Sequence, residues 1–267
     1  MRACCSNKRR PLVVAPESAH PAAAQENWRQ IACPVCEGTE FSRRFTKNHE
    51  HFVTCAGCSL LFINPPPAQR QVVKTYDHAY SEQYAGKADK KLRRCRRWVR
   101  RTAKRVQGGR WLDVGCSVGL VVLAATEAGF EGHGVDVEPW ALDYARQRLG
   151  LTRIRQGLVE EQGYPEGYFH VISLYDVIEH VPDLNRLARE LKRILAPAGV
   201  IDIITPDLGH WRVPRDLSAW NEIKPSEHLY YFTRDTLGRL LHKHGLRIVT
   251  TRFHFKPSLR VYAAHAS

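Results

Sequence analysis

Trp111-Leu112-Asp113-Val114-Gly115-Cys116-Ser117-Val118-Gly119 is the stretch that decides the fold. Residues 110–114 read as a buried strand, and residues 120–128 as a helix. Gly115 permits a sharp turn and close backbone approach, while Gly119 lets the helix start beside a ligand. In an open α/β sheet the ligand crevice lies outside the carboxyl ends of the strands, and a helix amino end favours a carboxylate. A dinucleotide fingerprint beginning at Gly115 would also need glycine at 117 and 120. Ser117 and Leu120 stand there, which disfavours NAD or FAD. Asp136 closes the next strand, where a carboxylate can accept both ribose hydroxyl hydrogens. Together these features describe a nucleoside carrying an amino-acid carboxylate and no pyrophosphate.

Towards the carboxyl terminus the alternation continues. Strands are expected at 132–137, 168–175 and 200–205, with helices at 139–149 and 184–195. Pro139 starts one helix, and Pro197 and Gly199 separate the other from its strand. After a helix at 233–244, two apolar stretches at 246–253 and 259–264 favour a terminal antiparallel pair. The expected architecture is a Rossmann-like α/β sheet, mostly parallel, with right-handed crossovers.

Towards the amino terminus, ten of the sixteen residues at 90–105 are Lys or Arg, with Leu92, Cys95, Val99, Ala103 and Val106 at helical spacing. One stripe of this helix packs inward. The outward cations are either a solvated face or an electrostatic surface for RNA or an acidic substrate. Further upstream, Cys33-Pro34-Val35-Cys36 and Cys55-Ala56-Gly57-Cys58 stand eighteen residues apart. Two such turns can close a tetrahedral Cys4 shell around a structural zinc ion, and short strands between them make a zinc-ribbon-like module. The other reading, two disulfides, requires an oxidising compartment that nothing in the composition indicates.

The chain of 267 residues is 43% hydrophobic, enough for a real core, and no apolar stretch is long enough for a membrane helix. A soluble, cytoplasmic protein is expected. Its net charge of +13 is uneven: residues 1–110 carry 22 basic and 8 acidic side chains, and residues 111–267 carry 18 and 19. The organisation read from this is a flexible basic leader at 1–28, the Cys4 module at 29–67, a linker and basic helix at 68–107, and the α/β domain at 108–267.

Residues 111–119 together with Gly134-Val135-Asp136, Asp176-Val177-Ile178-Glu179-His180, the 191–199 stretch and Thr205-Pro206-Asp207 resemble class I S-adenosylmethionine-dependent methyltransferases. More narrowly, residues 55–65 and Glu227-His228-Leu229-Tyr230-Tyr231-Phe232 resemble the bacterial branch in which a zinc-binding segment precedes the catalytic domain. The resemblance implies a methyltransferase acting on a small-molecule acceptor such as a sugar, glycan precursor or secondary metabolite. It assigns cofactor contacts to Asp113, Gly115, Cys116, Gly119, Asp136, Val137, Leu158 and Tyr175. Ser117 replaces the commoner middle glycine, and Leu158 stands where many relatives carry an adenine-facing acid, leaving adenine to backbone groups and Glu160.

The sulfonium donor carries an activated methyl group, so the protein has to align an acceptor and remove its proton. Asp176, His180 and His228 are the candidate catalytic groups. For the histidines the alternative is structural, with His180 bonding its own loop and His228 clamping a lid. Trp211 and Trp220 cover either the acceptor pocket or the core. An RNA methyltransferase using the basic helix is the competing function.

Overall fold

The computed structural model describes residues 30–67, 85–86, 88–106 and 108–266. The leader at 1–28 and most of the linker lie outside these residues. A hairpin of β1 (Phe41–Lys47) and β2 (Glu50–Cys55) leads to β3 (Leu61–Ile63). Helix α1 (Ala88–Thr102) precedes β4 (Arg110–Val114), α2 (Leu120–Glu127), β5 (Glu131–Asp136), α3 (Pro139–Leu149) and β6 (Ile154–Gln156). Then come β7 (Phe169–Tyr175), α4 (Leu184–Ile194), β8 (Leu195–Pro206), β9 (Tyr230–Tyr231), α5 (Arg234–Lys243), β10 (Leu246–Arg252) and β11 (Ser258–His265).

Local chemistry explains the sharpest boundaries. Helix α3 starts at Pro139 because the Glu138 side chain accepts from the amides of Trp140 and Ala141, at 3.2 and 2.6 Å. It ends where Gly150 takes φ +67°, a left-handed value that costs glycine little. Helix α5 is closed by a reciprocal cap between Thr233 and Thr236.

The main sheet has the order β10-β11-β8-β7-β4-β5-β6. Strands β6, β5, β4, β7 and β8 are parallel, and β11 and β10 complete the sheet antiparallel. The order reverses at β4, so the loops leaving β4 and β7 diverge and open a crevice between them. This is the Rossmann-like α/β arrangement expected, with the terminal antiparallel pair in place. Short β6 had no sequence signal of its own.

The second sheet, β1-β2-β3-β9, contains the short strands expected between the cysteine pairs and two more. Its fourth strand comes from the far end of the chain: Leu61 pairs with Tyr231 and Phe62 with Tyr230. The cysteine module and the α/β domain thus share a sheet and one continuous apolar core, in which Phe52 and Phe62 pack beside Tyr231 and Phe232. Polar ties reinforce the join. Glu50 accepts from Ser226 N at 2.8 Å and Ser226 Oγ at 2.6 Å, and Lys243 Nζ lies 2.9 Å from Glu37 Oε1.

Helix α1 is shorter than its charge run, ending at Thr102, and buries Cys95, Val99 and Thr102. Its last turn is anchored by an ion pair that the sequence pattern did not reveal. Asp202 on β8 and Arg260 on β11 are both fully buried. Arg260 donates from Nε to Asp202 Oδ1 at 3.0 Å and from Nη2 to Oδ2 at 2.5 Å. Thr102 Oγ1 and the Tyr175 hydroxyl each donate to the same Oδ2 at 2.6 Å. Four donors on one carboxylate make removal of either charged partner costly.

Candidate active site

The carboxyl ends of β4, β5 and β7 open onto a cavity of about 430 Å³. Asp113, Gly115, Cys116, Asp136, Val137, Leu158 and Tyr175 line it, with Asp176 and His180 at one side. Of the residues singled out from the sequence for this site, Gly119 and His228 do not line the cavity. Gly119 serves packing: at φ +79°, a Cβ there would meet Leu151 Cδ1 at 2.6 Å. His228 lies behind His180.

The turn after β4 is built around Asp136. Gly115 takes φ +69°, and a Cβ on it would strike Val177 Cγ2 at 2.5 Å. Ser117, although not glycine, adopts φ +47°. That left-handed turn aims its amide at Asp136 Oδ2, 2.7 Å away, while the Glu138 amide donates to Oδ1 at 2.9 Å. Both oxygens are fixed and each keeps acceptor capacity, the arrangement needed to receive two vicinal hydroxyls. Burial raises the Asp136 carboxyl, and the amides of Glu138 and Ser117 oppose that rise.

Asp113 is deeper. Ser173 Oγ donates to its Oδ1 at 2.5 Å, and Trp111 Nε1 donates to Ser173 Oγ at 2.9 Å. Burial holds the Asp113 carboxyl well above the usual carboxylate range. On the opposite wall, the Leu158 amide is held by Glu161 Oε2 at 3.3 Å, and Glu160 lines the cavity with a carboxyl raised by burial.

Lys91, Arg94 and Trp98 of α1 also line the cavity. Trp98 packs on Tyr175 with ring centroids 4.8 Å apart, and the Arg94 guanidinium sits 4.7 Å over the Trp98 ring. Of the alternatives for the basic helix, a solvated face or an electrostatic surface for RNA or an acidic substrate, none places part of it in this cavity, where Lys91, Arg94 and Trp98 stand. Positions 91, 94 and 98 share one helical face, a spacing present in the sequence but masked by the surrounding cations.

At the end of β7, Asp176 sits at φ +57°. Burial raises its carboxyl while Arg94 opposes the rise. His180 and His228 meet edge to face at 4.6 Å. Burial lowers His180 to about 4 and His228 to about 3, so both rings are neutral near pH 7 and weak as proton acceptors. Asp176 lines the cavity beside His180. Neither Trp211, which is 68% exposed, nor Trp220, buried in the core, lines the cavity.

The four module cysteines converge. Cys33 Sγ lies 3.5 Å from Cys58 Sγ, and Cys36 Sγ lies 3.4 Å from Cys55 Sγ. All four sulfurs fall within 4.8 Å of one another, and none is in a disulfide. Thiolates about 2.3 Å from a tetrahedral ion stand roughly 3.8 Å apart, so the donor set fits zinc. Gly38 and Gly57 leave room beside the sulfurs: a Cβ on either would approach Cys36 Sγ to 3.4 or 3.3 Å.

A family model described as a methyltransferase domain matches residues 80–251. The ubiquinone biosynthesis O-methyltransferase of Bordetella avium is 32% identical over 108 residues, which are 38% of this chain and 44% of that protein. The malonyl-[acyl-carrier protein] O-methyltransferase of Serratia marcescens is 29% identical over 125 residues, 47% of this chain and 48% of that one. The chain therefore spans about half the length of the curated relatives it matches. A TehB-like SAM-dependent methyltransferase from Corynebacterium glutamicum superposes with a TM-score of 0.53 at 18% identity, covering 71% of this chain and 100% of that one. This last likeness concerns the fold.

Proposed function

Because the chain belongs to the methyltransferase domain family of the class I fold, we propose that it transfers the methyl group of S-adenosylmethionine to a hydroxyl of a small-molecule acceptor. The observation that carries this reading is Asp136, its two oxygens pinned by the amides of Ser117 and Glu138 at the rim of a cavity between β4 and β5. Asp136 receives the ribose hydroxyls, and Leu158, Val159 and Glu160 surround the adenine. Arg94 and Lys91 face the amino-acid carboxylate of the donor.

When bound, S-adenosylmethionine supplies a methyl group already activated on sulfonium. The protein's part is alignment and proton removal. Tyr175, held by its hydroxyl on Asp202 and by Trp98 against its ring, gives the cavity a rigid wall. Asp176, beside the acceptor, takes up or orients the leaving proton.

A zinc ion held by Cys33, Cys36, Cys55 and Cys58 is part of the same reading, and its role is structural because four thiolates fill the shell. Such thiolate ligands suit a reducing, cytoplasmic setting. Among the described residues no helix is long and apolar enough to cross a membrane. The acceptor class proposed is a sugar, glycan precursor or secondary metabolite, and two relatives named as O-methyltransferases favour oxygen as the methylated atom. RNA finds no support, since Lys91 and Arg94 point at the cavity.

The test is transfer of isotope-labelled methyl from S-adenosylmethionine to extracts of small hydroxylated metabolites and, in parallel, to total RNA. Label in an alkali-stable small molecule, dependent on Asp136, is expected. Label confined to RNA would overturn the assignment.

A further inference from the structure

We propose that Glu179, His180 and His228 form a divalent-cation site beside the acceptor end of the cavity, and that the acceptor oxygen binds through that cation. The second half of this proposal rests on the methyl-transfer reading. Glu179 and His180 follow β7, whereas His228 arrives from the segment before β9. One ligand-type atom from each lies within 4.8 Å of the others, and Glu179 Oε1 stands 4.0 Å from His180 Nε2.

The hydrogen bonds around the three residues prepare them as ligands. His180 Nδ1 donates to the Glu227 carbonyl at 2.7 Å, and His228 Nδ1 donates to the Glu222 carbonyl at 2.9 Å. A carbonyl can only accept, so in each neutral ring the proton sits on Nδ1 and the lone pair on Nε2. Metal-binding histidines are held in this way by an outer carbonyl.

Glu179 supplies an independent observation. Its side chain is fully buried, and Thr205 Oγ1 donates to Oε2 at 2.9 Å. Its Oε1, also buried, has no hydrogen-bond partner among the described residues. A buried carboxylate oxygen left bare is costly, and a cation at this point would satisfy it.

Two imidazoles and one carboxylate suit zinc, manganese, iron or cobalt better than magnesium or calcium. Three protein ligands leave coordination positions open, as catalytic sites do. Of the three residues, His180 lines the cavity, which sets the site at the edge of that cavity. Ligand atoms in adjacent positions about 2.1 Å from an ion stand roughly 3 Å apart, so loading draws these side chains inward. A hydroxyl bound there is acidified, as water is on zinc. Its proton leaves to Asp176 or water, the oxygen pair forms the new C–O bond, and the C–S bond breaks with its electrons going to sulfur.

The test titrates Co2+ into the full chain as purified and follows visible absorption, with S-adenosylhomocysteine affinity measured alongside. The expected result is one saturable Co2+ per chain with weak d–d bands and no intense thiolate charge-transfer band. His228→Gln and His180→Gln should each weaken binding about tenfold or more. S-adenosylhomocysteine affinity in the His228 variant should change less than about threefold. No saturable binding, thiolate bands alone, or binding unchanged in both histidine variants would overturn the proposal. Cobalt binding without S-adenosylhomocysteine binding would keep the cation site and remove the methyl-transfer reading; the reverse would remove only the site.

Discussion

Ile63 donates its backbone N–H to the Leu229 carbonyl at 3.0 Å, and Leu229 in turn donates to the Glu179 carbonyl at 2.8 Å. The cysteine module therefore holds the segment carrying His228 against the turn carrying Glu179 and His180. A change in the module should reach the acceptor side of the site. Cys58→Ser is expected to lose about one zinc per chain and to slow turnover, while S-adenosylhomocysteine affinity changes less than about threefold. Metal analysis and calorimetry on the same preparation check both halves.

The buried pair gives a prediction about stability. Arg260→Met leaves Asp202 charged and buried, with Thr102 and Tyr175 as its remaining donors. A loss of about 3 to 5 kcal/mol in urea unfolding is expected. A second change, Asp202→Leu, should recover much of that loss by removing the stranded charge. A single variant as stable as the parent would show that the pair carries little of the packing between α1 and the sheet.

How much of this was legible beforehand depended on where the signal lay. Strand 110–114 and helix 139–149 were placed to the residue, because local chemistry sets their ends: Gly115 at positive φ, Pro139 at a first turn, Gly150 as a left-handed stop. The four cysteines were legible from spacing alone. Strand β9 was not, because two adjacent tyrosines show no alternation and their partner β3 lies far upstream in the chain. Asp202 sat unnoticed inside an apolar strand, since the partners that make its burial tolerable, Arg260 foremost, lie far from it in the chain. Arg94 was hidden for the opposite reason: in a run of cations, nothing marks which one turns to the cavity.

Asp113 should make stability depend on pH. Burial raises its folded-state carboxyl well above the usual range. For an acid so shifted, the folded state is favoured while the group is protonated. That contribution is lost as pH climbs from the unfolded value, about 3.9, through the raised folded one. Asp113→Asn, which keeps an oxygen for Ser173, should melt higher than the parent near pH 7, with the difference shrinking towards pH 4. Thermal unfolding across that range measures it. A constant difference would locate the effect outside the titration.

The basic helix divides by face. Arg94→Gln should weaken S-adenosylmethionine binding about five- to tenfold through loss of a charged contact. Replacing Arg93, Arg97 and Arg100 together, all exposed, should leave it unchanged and alter solubility. Equal effects from both variants would mean that the helix acts through its overall field.

The most direct measurement is calorimetric titration of the full chain with S-adenosylhomocysteine, alongside Asp136→Ala. The expected result is one site per chain, weakened in the variant by about 1.5 to 3 kcal/mol, because the lost bonds run from ribose hydroxyls to a charged acceptor. No binding by the parent protein, or equal affinity in the variant, would contradict the assignment of this cavity to the methyl donor.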